Sequence, residues 1–227
     1  MNFFLDTNVL VGFIFSLDSL NAPSKKFIDF TNDYFISYNV KDEMKNVFKR
    51  KKKEYKNFLL GLCREISKID GDSFISKSTL HILISKFKSF GKLKIKDMHR
   101  ALDKLWDEMG FGENQEVKEL LFQLKKFTKA HKANYNNSFD KINQNIFLVP
   151  NHRKKDSKIK NLIFEYGLDE ILHENDENIL FDLNEYSKNH KDLKLTFVSW
   201  DDDFIKAISL LIDFLSFNYF VGRKDIS

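Results

Sequence analysis

Phe3-Phe4-Leu5-Asp6-Thr7-Asn8-Val9-Leu10 decides how the rest of the chain is read. Aromatic and aliphatic residues run up to a carboxylate, and Thr7 and Asn8 then interrupt the run. A short apolar run that does not alternate reads as a strand covered on both faces, as in a parallel sheet. Open α/β sheets place their ligands at the carboxyl ends of such strands. Asp6 stands at that end. One carboxylate does not hold a catalytic metal, so the question passes to which partners the chain supplies.

Downstream, Val9 to Phe15 predicts a helix and Asp18 to Ala22 a polar loop. Pro23 and Ser24 open a second helix, with Phe27, Ile28 and Phe30 on its apolar face. Asp33 to Ser37 reads as a second strand. Val40, Met44, Val47 and Phe48 recur at helical spacing from Asn39 to about Lys56, with Glu43 in the first turn, where the helix dipole favours a carboxylate. Ile146 to Val149, stopped by Pro150, is a third strand, and Ile159 to Tyr166 is a helix ending at Gly167. Asn175 or Asp176 caps a helix whose buried face is Ile179, Leu180, Leu183 and Tyr186. Leu195 to Ser199 is a strand running into Trp200-Asp201-Asp202-Asp203, Ile205 to Phe214 is a helix, and Phe217 to Val221 is an edge strand. Strands that alternate with helices predict an α/β fold: a three-layer α/β/α arrangement around a central, mostly parallel sheet.

The segment between is different. Phe58-Leu59-Leu62-Ile66, Leu80-Ile84-Phe87, Met98-Leu102-Leu105 and Val117-Leu120-Leu121-Leu124 each keep helical spacing, with breaks near Gly71, Gly91, Gly110 and Asn134 to Ser138. The expected organisation is a core from residues 1–54 and 146–227 and a helical insertion or cap from 55–145.

The chain has 227 residues, 42% of them hydrophobic, which is enough for one large domain or one domain with an insertion. With 2 Pro and 8 Gly there are few breaks, which favours long helices over an all-β fold. The single cysteine, Cys63, excludes an internal disulfide and a cysteine zinc cluster, and its apolar neighbours make it a core thiol. No run approaches the roughly 20 apolar residues of a membrane span, and Asp6 interrupts the first apolar stretch where a secretory signal would need continuity. A soluble cytoplasmic protein is expected.

Lys+Arg 37 against Asp+Glu 33 is a mild excess, and its distribution says more. Lys49-Arg50-Lys51-Lys52-Lys53 is either a solvated helix face or a phosphate-contacting patch. Lys125, Lys126, Lys129, His131 and Lys132 form a second basic face, with Tyr135 and Phe139 placed to stack on bases. His152-Arg153-Lys154-Lys155 is a third cluster.

Four acids share one kind of place. Asp6 and Asp201 end strands, and Glu43 and Asp176 lie near the starts of helices. In a parallel sheet those positions fall on one rim. Each has rivals: Asp42 for Glu43; Glu174, Glu177 and Asp182 for Asp176; Asp202 and Asp203 for Asp201. Strand alternation after Val198 puts Ser199, Asp201 and Asp203 on one face and turns Asp202 to solvent. Clustered carboxylates raise one another's pKa unless a cation neutralises them, and Mg²⁺ or Mn²⁺ suits an all-oxygen site. Such ions activate water and stabilise charge during phosphodiester hydrolysis.

This pattern resembles the PIN-domain family of metal-dependent ribonucleases, which includes the toxins of many toxin–antitoxin pairs. Phe4-Leu5-Asp6-Thr7-Asn8-Val9-Leu10 is similar to the opening motif, and Ile36-Ser37 followed by Glu43 to the second acid. Asp176-Glu177-Asn178-Ile179-Leu180 resembles the third, and Val198-Ser199-Trp200-Asp201-Asp202-Asp203-Phe204 the fourth. The resemblance covers residues 1–50 and 145–222, and the helical segment between departs from it. It implies an endoribonuclease with Asp6, Glu43, Asp176 and Asp201 as catalytic metal ligands, Asp203 as an auxiliary ligand, and Asn8 and Ser199 orienting them. It implies RNA as substrate, together with a toxin-like role, an antitoxin-like protein partner and a homodimer; Lys49, Arg50, Lys51, Lys52 and Lys53, or the helical insertion, would hold the RNA backbone. Two other functions compete: a non-catalytic RNA- or protein-binding module, and a nuclease for single-stranded or flap DNA.

Overall fold

The computed structural model describes residues 2–29, 31, 34–88, 90–151, 156–217 and 219–222. The apolar opening forms strand β1 (Asn2–Leu5), with Phe4 and Leu5 fully buried. At Asp6 the chain turns directly into α1 (Thr7–Ile14), and the Asp6 carboxylate caps it. Helix α2 (Asn21–Asp29) packs closely on α1. Gly12 permits that approach, because a β-carbon there would lie 2.4 Å from Ser24 Oγ and 2.9 Å from the Leu20 carbonyl oxygen.

Strand β2 (Tyr34–Ser37) follows; Asp33 lies outside the described residues. Ser37 ends β2 and caps α3 (Tyr38–Ile66), its hydroxyl accepting from Val40 N–H at 3.3 Å. Glu43 therefore sits in the second turn of α3, and the helix dipole does not account for it. The helix continues past Lys56 because Phe58, Leu59, Leu62 and Ile66 extend its buried stripe.

Next come β3 (Phe74–Ser76), α4 (Lys77–Ser85), α5 (Ile95–Glu108), β4 (Asn114–Glu116) and α6 (Val117–Gln144). β3 and β4 form a small antiparallel sheet pairing Ile75 with Gln115, which the reading of this segment as helical omits. Three-residue strands are too short to show a period, and Asn-Gln-Glu has little strand propensity. α6 runs unbroken through Asn134 to Ser138, since Tyr135 is buried against Phe15 and Phe48.

The chain ends with β5 (Ile146–Val149), α7 (Ser157–Glu165), α8 (Glu174–Asn189), β6 (Leu195–Val198), α9 (Asp202–Leu211) and β7 (Tyr219–Val221). The main sheet has the order β5-β2-β1-β6-β7, and every neighbouring pair is parallel. The fold is thus mixed α/β with a parallel sheet, and β1 lies at its centre.

The helical segment shares the sheet's hydrophobic core. Phe15, fully buried just after α1, packs its ring against Phe48 and Tyr55 of α3 and Tyr135 of α6. α3 itself passes without interruption from the end of β2 into this segment. Among the described residues, no helix is long and apolar enough to cross a membrane.

Candidate functional site: an acidic cavity at the sheet rim

The parallel register aligns the strand ends. Leu5 of β1 pairs with Val198 of β6, so Asp6 and Ser199 leave the sheet side by side, and Asp6 N–H donates to the Val198 carbonyl at 3.0 Å. Asp6 is 4% exposed. Its carboxylate accepts from Ser199 Oγ at 2.7 Å and from Thr7 N–H at 2.6 Å. Ser199 Oγ also accepts from Asp201 N–H at 3.1 Å, and Asn8 Oδ1 accepts from Trp200 N–H at 3.0 Å. Asn8 and Ser199 therefore hold the backbone that presents Asp201 to the rim. Thr7 Oγ1 donates to Glu43 Oε2 at 2.8 Å, which ties α1 to α3.

Asp6, Glu43, Asp176 and Asp201 all line one cavity of about 180 Å³. The other polar residues on its wall include Thr7, Asn8, Asp18 and Lys51. The electrostatics agree with the geometry. Burial pushes the Asp6 carboxyl up to about 7; Ser199 and Thr7 pull it down, and the charges of Glu43 and Asp176 push it further up. Asp176 is also raised, first by burial and then by the charges of Asp201 and Glu43, against the His173 N–H that bonds it at 3.1 Å. Glu43, Asp176 and Asp201 thus each act on another acid of the cavity.

Other expected participants are elsewhere. Asp203 is exposed and is not among the residues lining the cavity, because α9 begins at Asp202 and strand alternation ends before it. The Asp201 carboxylate caps α9, accepting from Asp203 N–H at 2.9 Å. Asp176 does not cap α8; His173 occupies that position, and Asp176 reaches back to its N–H. Asp182 is buried and accepts from Asn39 Nδ2 at 2.9 Å.

The five-cation run does not act as one patch. Lys51 turns into the cavity and pairs with Asp18. Lys52 lies over the Phe48 and Tyr135 rings, and Arg50 reaches Glu54 at 3.7 Å. Lys49 and Lys53 are exposed. The second basic face loses three members to the interior. His131 is 3% exposed, Tyr135 is 4% exposed, and Phe139 stacks on Phe48 with ring centroids 4.2 Å apart. His152-Arg153-Lys154-Lys155 lies outside the described residues.

Thr7 and Asp18 join the site without having been singled out. Thr7 was signalled only by its place beside Asp6. Asp18 sits in a loop with no periodicity to mark it, and it turns inward because Lys51 and the Leu20 N–H bind its carboxylate.

No family model, curated protein or solved structure matches this chain. The site is therefore judged on its own chemistry. Its acids offer only hard oxygen donors, the set that suits Mg²⁺ or Mn²⁺. Among the described residues, no three His, Cys, Asp or Glu side chains form a group that could hold a metal ion as they stand. Each acid is engaged by a protein donor: Asp6 by Ser199 and Thr7, Glu43 by Thr7, Asp176 by His173, and Asp201 by Asp203. A carboxylate accepts about four hydrogen bonds, so each keeps lone pairs for a cation.

Proposed function

We propose that the protein is a metal-dependent nuclease of the PIN-like type, built on an α/β/α core, that hydrolyses RNA phosphodiester bonds at the acidic cavity. One observation carries this reading: acids from positions 6, 43, 176 and 201 line a single cavity, where the charges of their neighbours help to raise Asp6 and Asp176. Asp6, Glu43, Asp176 and Asp201 would hold one or more divalent ions. When bound, such an ion would supply Lewis acidity and a more acidic water for phosphodiester hydrolysis. The protein's own groups do the positioning. Ser199 and Thr7 N–H orient Asp6, Thr7 Oγ1 orients Glu43, and the His173 N–H orients Asp176. Lys51, paired with Asp18, is the one cation on the cavity wall among the described residues and would meet a substrate phosphate.

The test is incubation of purified protein with labelled single-stranded RNA and DNA in Mn²⁺, Mg²⁺ or EDTA. RNA cleavage in metal, absent in EDTA and reduced at least about 100-fold in Asp6→Asn, is expected. A fully active Asp6→Asn protein overturns the reading. Cleavage of DNA alone replaces RNA with single-stranded DNA as the substrate. A second reading, a nucleic-acid-binding module without catalysis, is favoured by the absence of a preassembled ligand group among the described residues. Salt-dependent RNA binding with no cleavage in any metal selects it.

A further inference from the structure

A second cavity, of about 230 Å³, adjoins the acidic one and shares Asp18, Leu20 and Lys51 with it as a common wall. Its remaining wall includes Arg50 of α3, Lys92 of the turn before α5, and Arg100 of α5. Acids line it too, so the sign of its surface depends on which charges face outward. The side chains of Asp18 and Glu54 are 7% and 8% exposed. Those of Arg50 and Arg100 are 36% and 60% exposed. Lys92 is also exposed. The buried acids are already engaged: Glu54 accepts from Lys92 N–H at 2.7 Å and lies 3.7 Å from the Arg50 guanidinium, and Asp18 pairs with Lys51 and accepts from Leu20 N–H. Asp97 is the exception, its side chain 35% exposed and 3.9 Å from Arg100. The accessible wall is therefore predominantly cationic, beside a cavity whose wall is predominantly anionic.

We propose that this second cavity binds the phosphate backbone of a single-stranded polynucleotide, with Arg50, Lys92 and Arg100 contacting successive phosphates. Lys51 then marks the passage along which the strand enters the acidic cavity. The proposal rests on the nuclease reading for the direction of that path, though not for the binding itself. It also gives the helical segment a role: the turn before α5 and α5 itself supply Lys92, Leu93, Asp97 and Arg100 to the groove. Guanidinium and ammonium groups suit this task, because they pair with phosphate without reading base sequence.

The experiment measures binding of the full chain to labelled single-stranded RNA and to single-stranded DNA of the same sequence, by fluorescence anisotropy in EDTA across a salt series. The test variant is Lys92→Ala/Arg100→Ala, both residues being exposed. The control is Lys160→Ala/Lys191→Ala, which removes the same charge from exposed positions of α7 and of the turn after α8. The test variant is expected to bind about tenfold more weakly, with the slope of log affinity against log salt shallower by about 1.4, at about 0.7 per lost contact. The control stays within about twofold of the parent. Equal loss in both variants, or no binding by the parent, overturns the proposal. Loss with both RNA and DNA assigns the groove to the shared backbone, and loss with RNA alone assigns it to RNA. Melting curves matching the parent exclude misfolding. A protein that never cleaves yet loses binding in the test variant keeps the groove and drops the nuclease. One that cleaves with binding unchanged in that variant keeps the nuclease and drops the groove.

Discussion

Asp6 is buried enough to resist ionising, and it lies on the wall of the acidic cavity. Burial and neighbouring acids push its carboxyl up to about 7, while Ser199 and the Thr7 N–H favour the charged form. A bound cation would resolve the conflict. Mn²⁺ is accordingly expected to raise the melting temperature of the wild type, by an amount equivalent to about 2.7 kcal/mol at a hundredfold excess over its dissociation constant. Asp6→Asn should lose most of that gain in a calorimetric scan, whether or not the protein cleaves anything. His131 supplies a second prediction. Burial lowers its pKa from 6.5 to about 4, so the fold keeps the ring neutral. Its stabilising effect is complete above about 6.5. Below that, the unfolded chain binds a proton that the folded chain refuses, so stability falls as pH drops toward 4, by up to roughly 3 kcal/mol. In His131→Phe, urea titrations between pH 7 and 4.5 should show a shallower decline; an unchanged decline would place the effect elsewhere.

Among the elements, α3 carries the most. Its start presents Glu43 to the cavity, its middle sends Lys51 to the wall shared by the two cavities, and its buried face joins the helical segment to the sheet. Glu54 of α3 also anchors the turn that carries Lys92. Gly91 lies at φ +65, and a β-carbon there would come within 2.5 Å of Glu54 Oε1. Gly91→Ala is expected to cost about 1–2 kcal/mol in urea denaturation from the backbone strain alone. Because it displaces the Glu54 contact, it should also weaken single-strand binding. Phe15→Ala tests the joint itself. The ring is fully buried among residues of α3 and α6, so its loss should destabilise the protein by about 3–5 kcal/mol.

Across the whole molecule, a parallel sheet gathers on one rim residues that the chain keeps far apart. The local patterns marked Asp6, Glu43, Asp176 and Asp201 because strand ends and helix starts leave short-range signatures: an apolar run that stops, or a helical stripe that begins. The order of those elements and the hydrophobic stripe of each helix were legible for the same reason. What the patterns missed depends on contacts between segments distant in sequence. Lys49 to Lys53 read as one cationic block, yet packing sent Lys51 to Asp18 and Lys52 over Phe48 and Tyr135. His131 and Tyr135 read as part of an exposed face, yet Phe15 and its neighbours buried them. Strand alternation put Asp203 on the face of Asp201, yet the chain had already turned into α9. Residue periodicity reports which face of an element is apolar, and that determined the strands of the main sheet, the helices around them and the rim positions of the acids, but not β3, β4 or the unbroken length of α6. Only the tertiary structure decided which cations reach the cavity, how α5 forms its neighbour, and which aromatic rings are spent on the core, because burial and long-range pairing are properties of the packed chain.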